Sequence, residues 1–125
     1  GVEMPAKKVV PFDISKYQIK NEVETKTIKL PDGVEFDIQV QELTWKKRNQ
    51  YLVSASSTDA SGEGVFNGPE FAELCLMEMI KEAPWGDTTR TFFAQINSDL
   101  GDALTMLVPL PQQEDDSAGA SAVKK

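Results

Sequence analysis

Residues 27–41 constrain the fold more than any other stretch. Ile28 and Leu30 alternate with Thr27 and Lys29, and Pro31-Asp32-Gly33 follows. Val34, Phe36, Ile38 and Val40 then alternate with Glu35, Asp37, Gln39 and Gln41. An apolar residue at every second position puts one face of a strand in contact with a core. The intervening triplet is turn chemistry: proline presets φ, aspartate tolerates turns, and glycine supplies φ > 0. Residues 23–41 therefore read as a β-hairpin with one greasy face. A lone hairpin is marginal in water, so something must cover that face.

The cover is expected to be helical. Thr44 caps a predicted helix over 44–56, with Trp45, Asn49, Leu52 and Val53 near one face and Lys46-Lys47-Arg48 pointing elsewhere. A loop follows over 56–64, where Ser, Thr, Asp and Gly dominate. Pro69 sits where a helix's first turn needs no N–H donor, so a second helix is predicted over 69–83. Its Phe71, Leu74, Cys75, Leu76, Met77 and Ile80 cover most of the circumference, which makes it the most buried of the helices. Ala83-Pro84 ends it, because a residue before proline avoids the α region. A third helix is predicted over 88–107, with Phe92, Phe93, Ile96, Leu100, Leu104 and Leu107 at three- and four-residue steps. Gly101 costs it roughly 1 kcal/mol relative to alanine, which a bend or a close helix contact there would explain. The fold class is thus α+β, mainly helical, with three helices and an N-terminal hairpin.

The chain has 125 residues, enough for one domain, predicted over 23–111. Residues 1–22 lack periodicity and read as a flexible arm, of which 1–3 look like an expression remnant before Met4. Residues 112–125 are small and polar and read as a disordered tail. Thirteen basic against twenty acidic residues give a net charge of −7. Nearly all of that excess lies in 23–111, with seven bases against fourteen acids. A field of that sign repels phosphate backbones, so nucleic acid is not an expected partner. The single Cys75 excludes an internal disulfide and reads as a buried inert thiol. No apolar run reaches membrane-span length and no signal peptide is visible, so the expected location is the cytoplasm.

Catalytic chemistry is sparse. The chain has no histidine, the usual general base near neutral pH. The carboxylate pairs Glu35/Asp37, Glu78/Glu82 and Asp99/Asp102 fall on predicted solvent faces. Zinc ligands at set spacing are lacking, Asp59-Ala60-Ser61-Gly62-Glu63 is a poor calcium loop, and no phosphate-binding glycine motif occurs. No catalytic residue, metal or cofactor is expected. The densest chemistry is Glu82-Ala83-Pro84-Trp85-Gly86-Asp87-Thr88-Thr89, a helix stop and a helix start around a tryptophan. That ring either wedges two helices apart or serves recognition.

The order of segments resembles the tail assembly chaperones of long-tailed bacteriophages. The likeness covers roughly residues 25–111. It is carried by a Glu/Gln-rich strand pair, Leu43-Thr44-Trp45-Lys46, a helix and a polar loop, then Ile80-Lys81-Glu82-Ala83-Pro84-Trp85-Gly86, and later Phe92-Phe93, Gly101, Leu104 and Leu107-Val108-Pro109. The resemblance implies a non-enzymatic protein of the host cytoplasm. Such a protein coats the long helical tape-measure protein and keeps it soluble until tube subunits polymerise around it. It also implies a longer form made by frameshifting, for which Lys124-Lys125 would mark a slippery stretch. No residue role carries over from the family. The expected partner surface comes from the residues themselves: Trp85 with Phe92, Phe93, Ile96, Leu100 and Leu104 of the third helix, bordering an apolar groove. Self-association through the arm or the hairpin edge is a further expectation. Two rivals remain open: a structural virion component such as a tail-tube or tail-terminator subunit, which would be mainly β, and an acidic nucleic-acid mimic, which would need a dense acidic face.

Overall fold

The computed structural model describes residues 10–20 and 22–110. The expectations for residues 1–9 and 111–125, a disordered tail among them, lie outside the described residues. The described chain is a mixed α+β domain with two small antiparallel sheets and four helices.

The hairpin forms as its alternation requires. Strand β1 (Glu24–Lys29) pairs antiparallel with β2 (Glu35–Val40), with Ile28 opposite Phe36 and Lys26 opposite Ile38. In the turn, Gly33 N–H donates to the Leu30 carbonyl (2.9 Å) and Val34 N–H to Asp32 Oδ1 (3.0 Å). Gly33 has φ 93°, the left-handed region that a three-residue hairpin loop demands. Ile28, Ile38 and Val40 face the core. On the outer face Thr27 Oγ1 donates to Asp37 (2.7 Å) and Gln39 Nε2 to Thr25 Oγ1 (2.9 Å), so polar side chains pair across the strands.

Helix α1 (Trp45–Ser54) starts where Thr44 Oγ1 accepts from Lys47 N–H (3.1 Å). None of its residues is fully buried, and Trp45 and Val53 are both 74% exposed. The expected apolar face is therefore wrong: α1 packs through Tyr51, Leu52 and the half-buried Arg48, and turns Trp45 and Val53 to solvent. Arg48 does not point away with Lys46, and its Nε is buried without a partner among the described residues.

The expected loop at 56–64 is a second hairpin. Strand β3 (Ser56–Thr58) pairs with β4 (Gly64–Phe66). Asp59 closes it by accepting from Ser61 N–H (2.9 Å), Ser61 Oγ (2.6 Å) and Glu63 N–H (2.9 Å). These bonds favour the carboxylate and hold Asp59 below its ordinary range.

Helix α2 (Gly68–Met79) is capped by Asn67, whose Oδ1 accepts from Glu70 N–H (3.0 Å), with Pro69 in its first turn. It buries Phe71, Cys75, Leu76 and Met79 and is the central helix of the core, as expected. It does not run to residue 83. Ile80–Glu82 turn extended as β5 and pair with β2, giving a three-stranded sheet of order β1-β2-β5. The free ladder edge of β2 overrides helix continuation three residues before Pro84 takes effect. A turn then follows, closed by Gly86 N–H on the Ala83 carbonyl (3.0 Å), with Gly86 at φ 84°.

The expected third helix is two helices. Helix α3 (Arg90–Gln95) is capped by Thr89 and α4 (Ser98–Thr105) by Asn97, whose Oδ1 accepts from Leu100 N–H (3.0 Å). Ile96 is extended at φ −92°, ψ 160°. Asn97-Ser98-Asp99 offers a side-chain cap in mid-run, and that local bond competes with helix continuation. The break lets α4 fold back over the sheet and α2, burying Leu104 and Val108 completely or nearly so.

Candidate functional site

The break between α3 and α4 opens a groove against the N-terminal half of α2, with a volume of about 520 Å³. Pro69, Ala72 and Leu76 of α2 form one wall. Phe93 and Ile96 form the end by α3, and Gly101 and Thr105 of α4 form the other wall. Val108 and Leu110 close the far end. Two small positions make the space: Ala72 on α2 and Gly101 on α4. A Cβ at Gly101 would meet Ile96 Cδ1 at 3.7 Å, ordinary contact, so the glycine leaves room in the groove rather than relieving a clash.

Two carboxylates stand at the lips, Glu73 on α2 and Asp102 on α4, and among the described residues no basic side chain lines the groove. Arg90 ties α3 to α2 beside it. Its Nη1 donates to Glu70 Oε1 (2.6 Å) and Glu73 Oε1 (2.9 Å), and its Nη2 to Glu70 Oε2 (2.8 Å). The guanidinium bonds hold the Glu70 carboxyl below its usual range. One cation shared by two carboxylates leaves the groove mouth negative.

The expected partner residues separate into three groups. Phe93 and Ile96 line the groove. Trp85 and Phe92 belong to a ring cluster that backs it. Trp85 stacks on Phe92 (centroids 4.5 Å, 17° between planes), meets Phe36 edge-on (5.7 Å), and Phe92 meets Phe93 edge-on (5.4 Å). Trp85 Nε1 donates to Thr88 Oγ1 (2.9 Å), so the half-buried indole is satisfied in place. Leu100 is half-buried against the core, and Leu104 is fully buried. Leu104 is therefore unavailable to a partner, because the fold of α4 over the sheet consumes it. The sequence reading missed the α2 wall altogether. Its signal was the spacing Pro69, Ala72, Leu76, small and apolar on one face, hidden in a helix apolar nearly all round.

Elsewhere the chemistry is structural. Tyr51 Oη donates to Glu78 (3.1 Å), and burial with that carboxylate raises the phenol pKa. Cys75 is fully buried, and burial pushes its thiol up to about 11. Among the described residues no cluster of three or more metal-ligating side chains occurs, and no helix is long and apolar enough to cross a membrane.

Compared with known protein families, with curated proteins and with solved structures, the chain matches none.

Proposed function

We propose that this protein is a tail assembly chaperone of a long-tailed bacteriophage, acting without catalysis in the host cytoplasm and masking apolar stripes of the tape-measure protein. The groove between α2 and α3–α4 carries the reading: it is apolar along its walls, acidic at its lips and open at the surface. An amphipathic helix offers side chains at i, i+3, i+4 and i+7, and such a stripe suits a groove of this kind. A volume of about 520 Å³ holds a few side chains, not a whole helix face. Each buried apolar side chain contributes roughly 1.5–3 kcal/mol before association costs are met. Individual contacts are then weak, and a long client is held by many copies that can leave as tube subunits arrive. The net charge of −7 keeps a coated client soluble by repulsion.

The rival structural-subunit reading calls for a mainly β protein. Here the longest strands have six residues while α2 has twelve, and the extra strands β3, β4 and β5 have three each.

Co-expression with a tape-measure protein from the same genome tests the proposal. The client is expected in the soluble fraction with the wild-type chain, and in the pellet with a variant whose groove is filled by Gly101→Leu. Equal insolubility with and without the wild-type chain would overturn the reading.

A further inference from the structure

Among the described residues, no other stretch of its length leaves as many large apolar side chains exposed as the N-terminal arm. Val10 is 73% exposed, Phe12 74%, Ile14 55% and Tyr17 71%. These side chains are not loosely arranged. Asp13 accepts from Ser15 N–H (3.1 Å) and Ser15 Oγ (2.7 Å), which closes a 3₁₀ turn over Ile14–Lys16. Across that turn Phe12 and Tyr17 stack, centroids 5.3 Å apart and planes 6° apart. Two aromatic rings thus stand as one preformed knob, with much of the ordering cost of docking already met.

The C-terminal end of the described arm lies beside α2. Ile19 is half-buried beside Leu43, Thr44 and Glu78, near the last turn of α2. The groove lies at the other end of α2, on Pro69 and Ala72. Glu78 and Pro69 are nine residues apart on one helix, about 14 Å at the α-helical rise. Among the described residues neither the knob nor the groove is covered.

We propose that the arm of one copy docks its Phe12–Tyr17 knob in the α2–α4 groove of a second copy. Charge selects this occupant. Between residues 10 and 20 the arm carries Lys16 and Lys20 against the single Asp13, and Lys7-Lys8 precede it in sequence. The groove mouth offers Asp102, and Glu73, which is shared with Arg90. The segment beginning after Leu110, at the groove's far end, is a poorer candidate: the part nearest the groove in sequence carries Glu114, Asp115 and Asp116, like charges to those lips, and its two lysines, Lys124 and Lys125, come only at its end. The assignment goes beyond the chaperone reading and does not rest on it, because it concerns the protein without a client. Where a client helix uses the same groove, it must displace the arm.

Sedimentation of the full chain at sub-millimolar concentration tests this. The wild type is expected to sediment as a dimer or larger. Phe12→Asp with Tyr17→Asp removes the knob, and Gly101→Leu fills the groove. Each is expected to weaken association about tenfold or more and leave single chains. Mixed in equal amounts, the two variants regain association, since one keeps its arm and the other its groove. Gly101→Ala, which leaves the groove open, associates as the wild type. Asp102→Lys changes only an exposed lip residue and is expected to weaken association severalfold, with Lys16→Glu in the same chain restoring it. A single-chain wild type, a knob-less variant that still assembles, an unaffected Gly101→Leu or Asp102→Lys, or a mixture that stays apart would each overturn the proposal.

Discussion

The indole of Trp85 lies flat on the ring of Phe92, 4.5 Å between centroids, and its N–H is held by Thr88. The same indole meets Phe36 of β2 edge-on, so one side chain joins the hairpin to α3. Stacked and edge-to-face pairs contribute roughly 0.5–1.5 kcal/mol each beyond burial. The other tryptophan, Trp45, is 74% exposed. With Trp45→Phe, the remaining emission is expected to be blue-shifted and protected from acrylamide. With Trp85→Phe, it is expected to be red-shifted and freely quenched. Thr88→Val should lower stability by about 1 kcal/mol in a denaturant titration, the cost of an unmade indole bond.

Leu104 separates core from surface within the last helix. It is fully buried, whereas Leu100 one turn earlier is half-buried. Leu104→Ala is expected to cost roughly 3 kcal/mol, and for a domain of this size to lower Tm by about 10–20 °C. Leu100→Ala should cost about half as much. A binding defect in the Leu104 variant that vanishes at low temperature, where the fold survives, would mark it as a packing residue. A defect that persists in a stably folded variant would count against the burial seen here.

The hairpin over 24–40 was legible because alternation and turn chemistry agree, and nothing in the tertiary structure opposes them. The cap at Thr44 and the helix start at Pro69 were legible for the same reason. What was hidden is what tertiary pairing decides. Ile80–Glu82 look helical by continuation, and only the open edge of β2 makes them a strand. Ser56–Phe66 is loop by composition, yet Asp59 ties its ends into a hairpin. Asn97 was a readable cap, but the heptad-like run from Phe92 to Leu107 masked it. Of the six residues expected at a partner surface, two line the groove, because the run was read as one helix with one face. Breaking it at Ile96 sends Phe93 and Ile96 to the groove and Leu104 to the core.

Arg90 clamps α3 to α2 through a fork on Glu70 and a further bond to Glu73. All three side chains are partly exposed, so the clamp is expected to add little global stability and to weaken with salt. Its local effect is larger, since it fixes one end of the groove. Arg90→Lys loses the planar fork and should speed amide exchange in α3 more than in α2. The acid dependence has a definite sign. Glu70 ionises more readily folded than unfolded, so its contribution is present above its ordinary pKa and disappears as pH falls through the lowered folded value. In Arg90→Ala that part of the acid slope should flatten. An unchanged slope would show that the pair carries no linkage.

Cys75 gives the fold an alkaline limit. The thiol is fully buried, and burial raises its pKa from 9.0 to about 11. Tyr51, on α1 facing α2, is raised in the same direction by burial and by Glu78. A group harder to deprotonate in the folded state favours unfolding once the unfolded chain begins to lose that proton. Stability is therefore expected to be flat with respect to Cys75 up to about pH 9, then to fall as pH rises toward about 11. Below that window the native thiol should resist Ellman's reagent and react fully once the chain is unfolded in denaturant. Cys75→Ala removes the thiol from the linkage, so its stability curve should lie below the wild type at neutral pH, by the small cost of the lost sulfur contacts, and fall less steeply above pH 9. Parallel curves across that range would mean that the thiol ionises as readily inside the fold as outside it, which its full burial in the core does not allow.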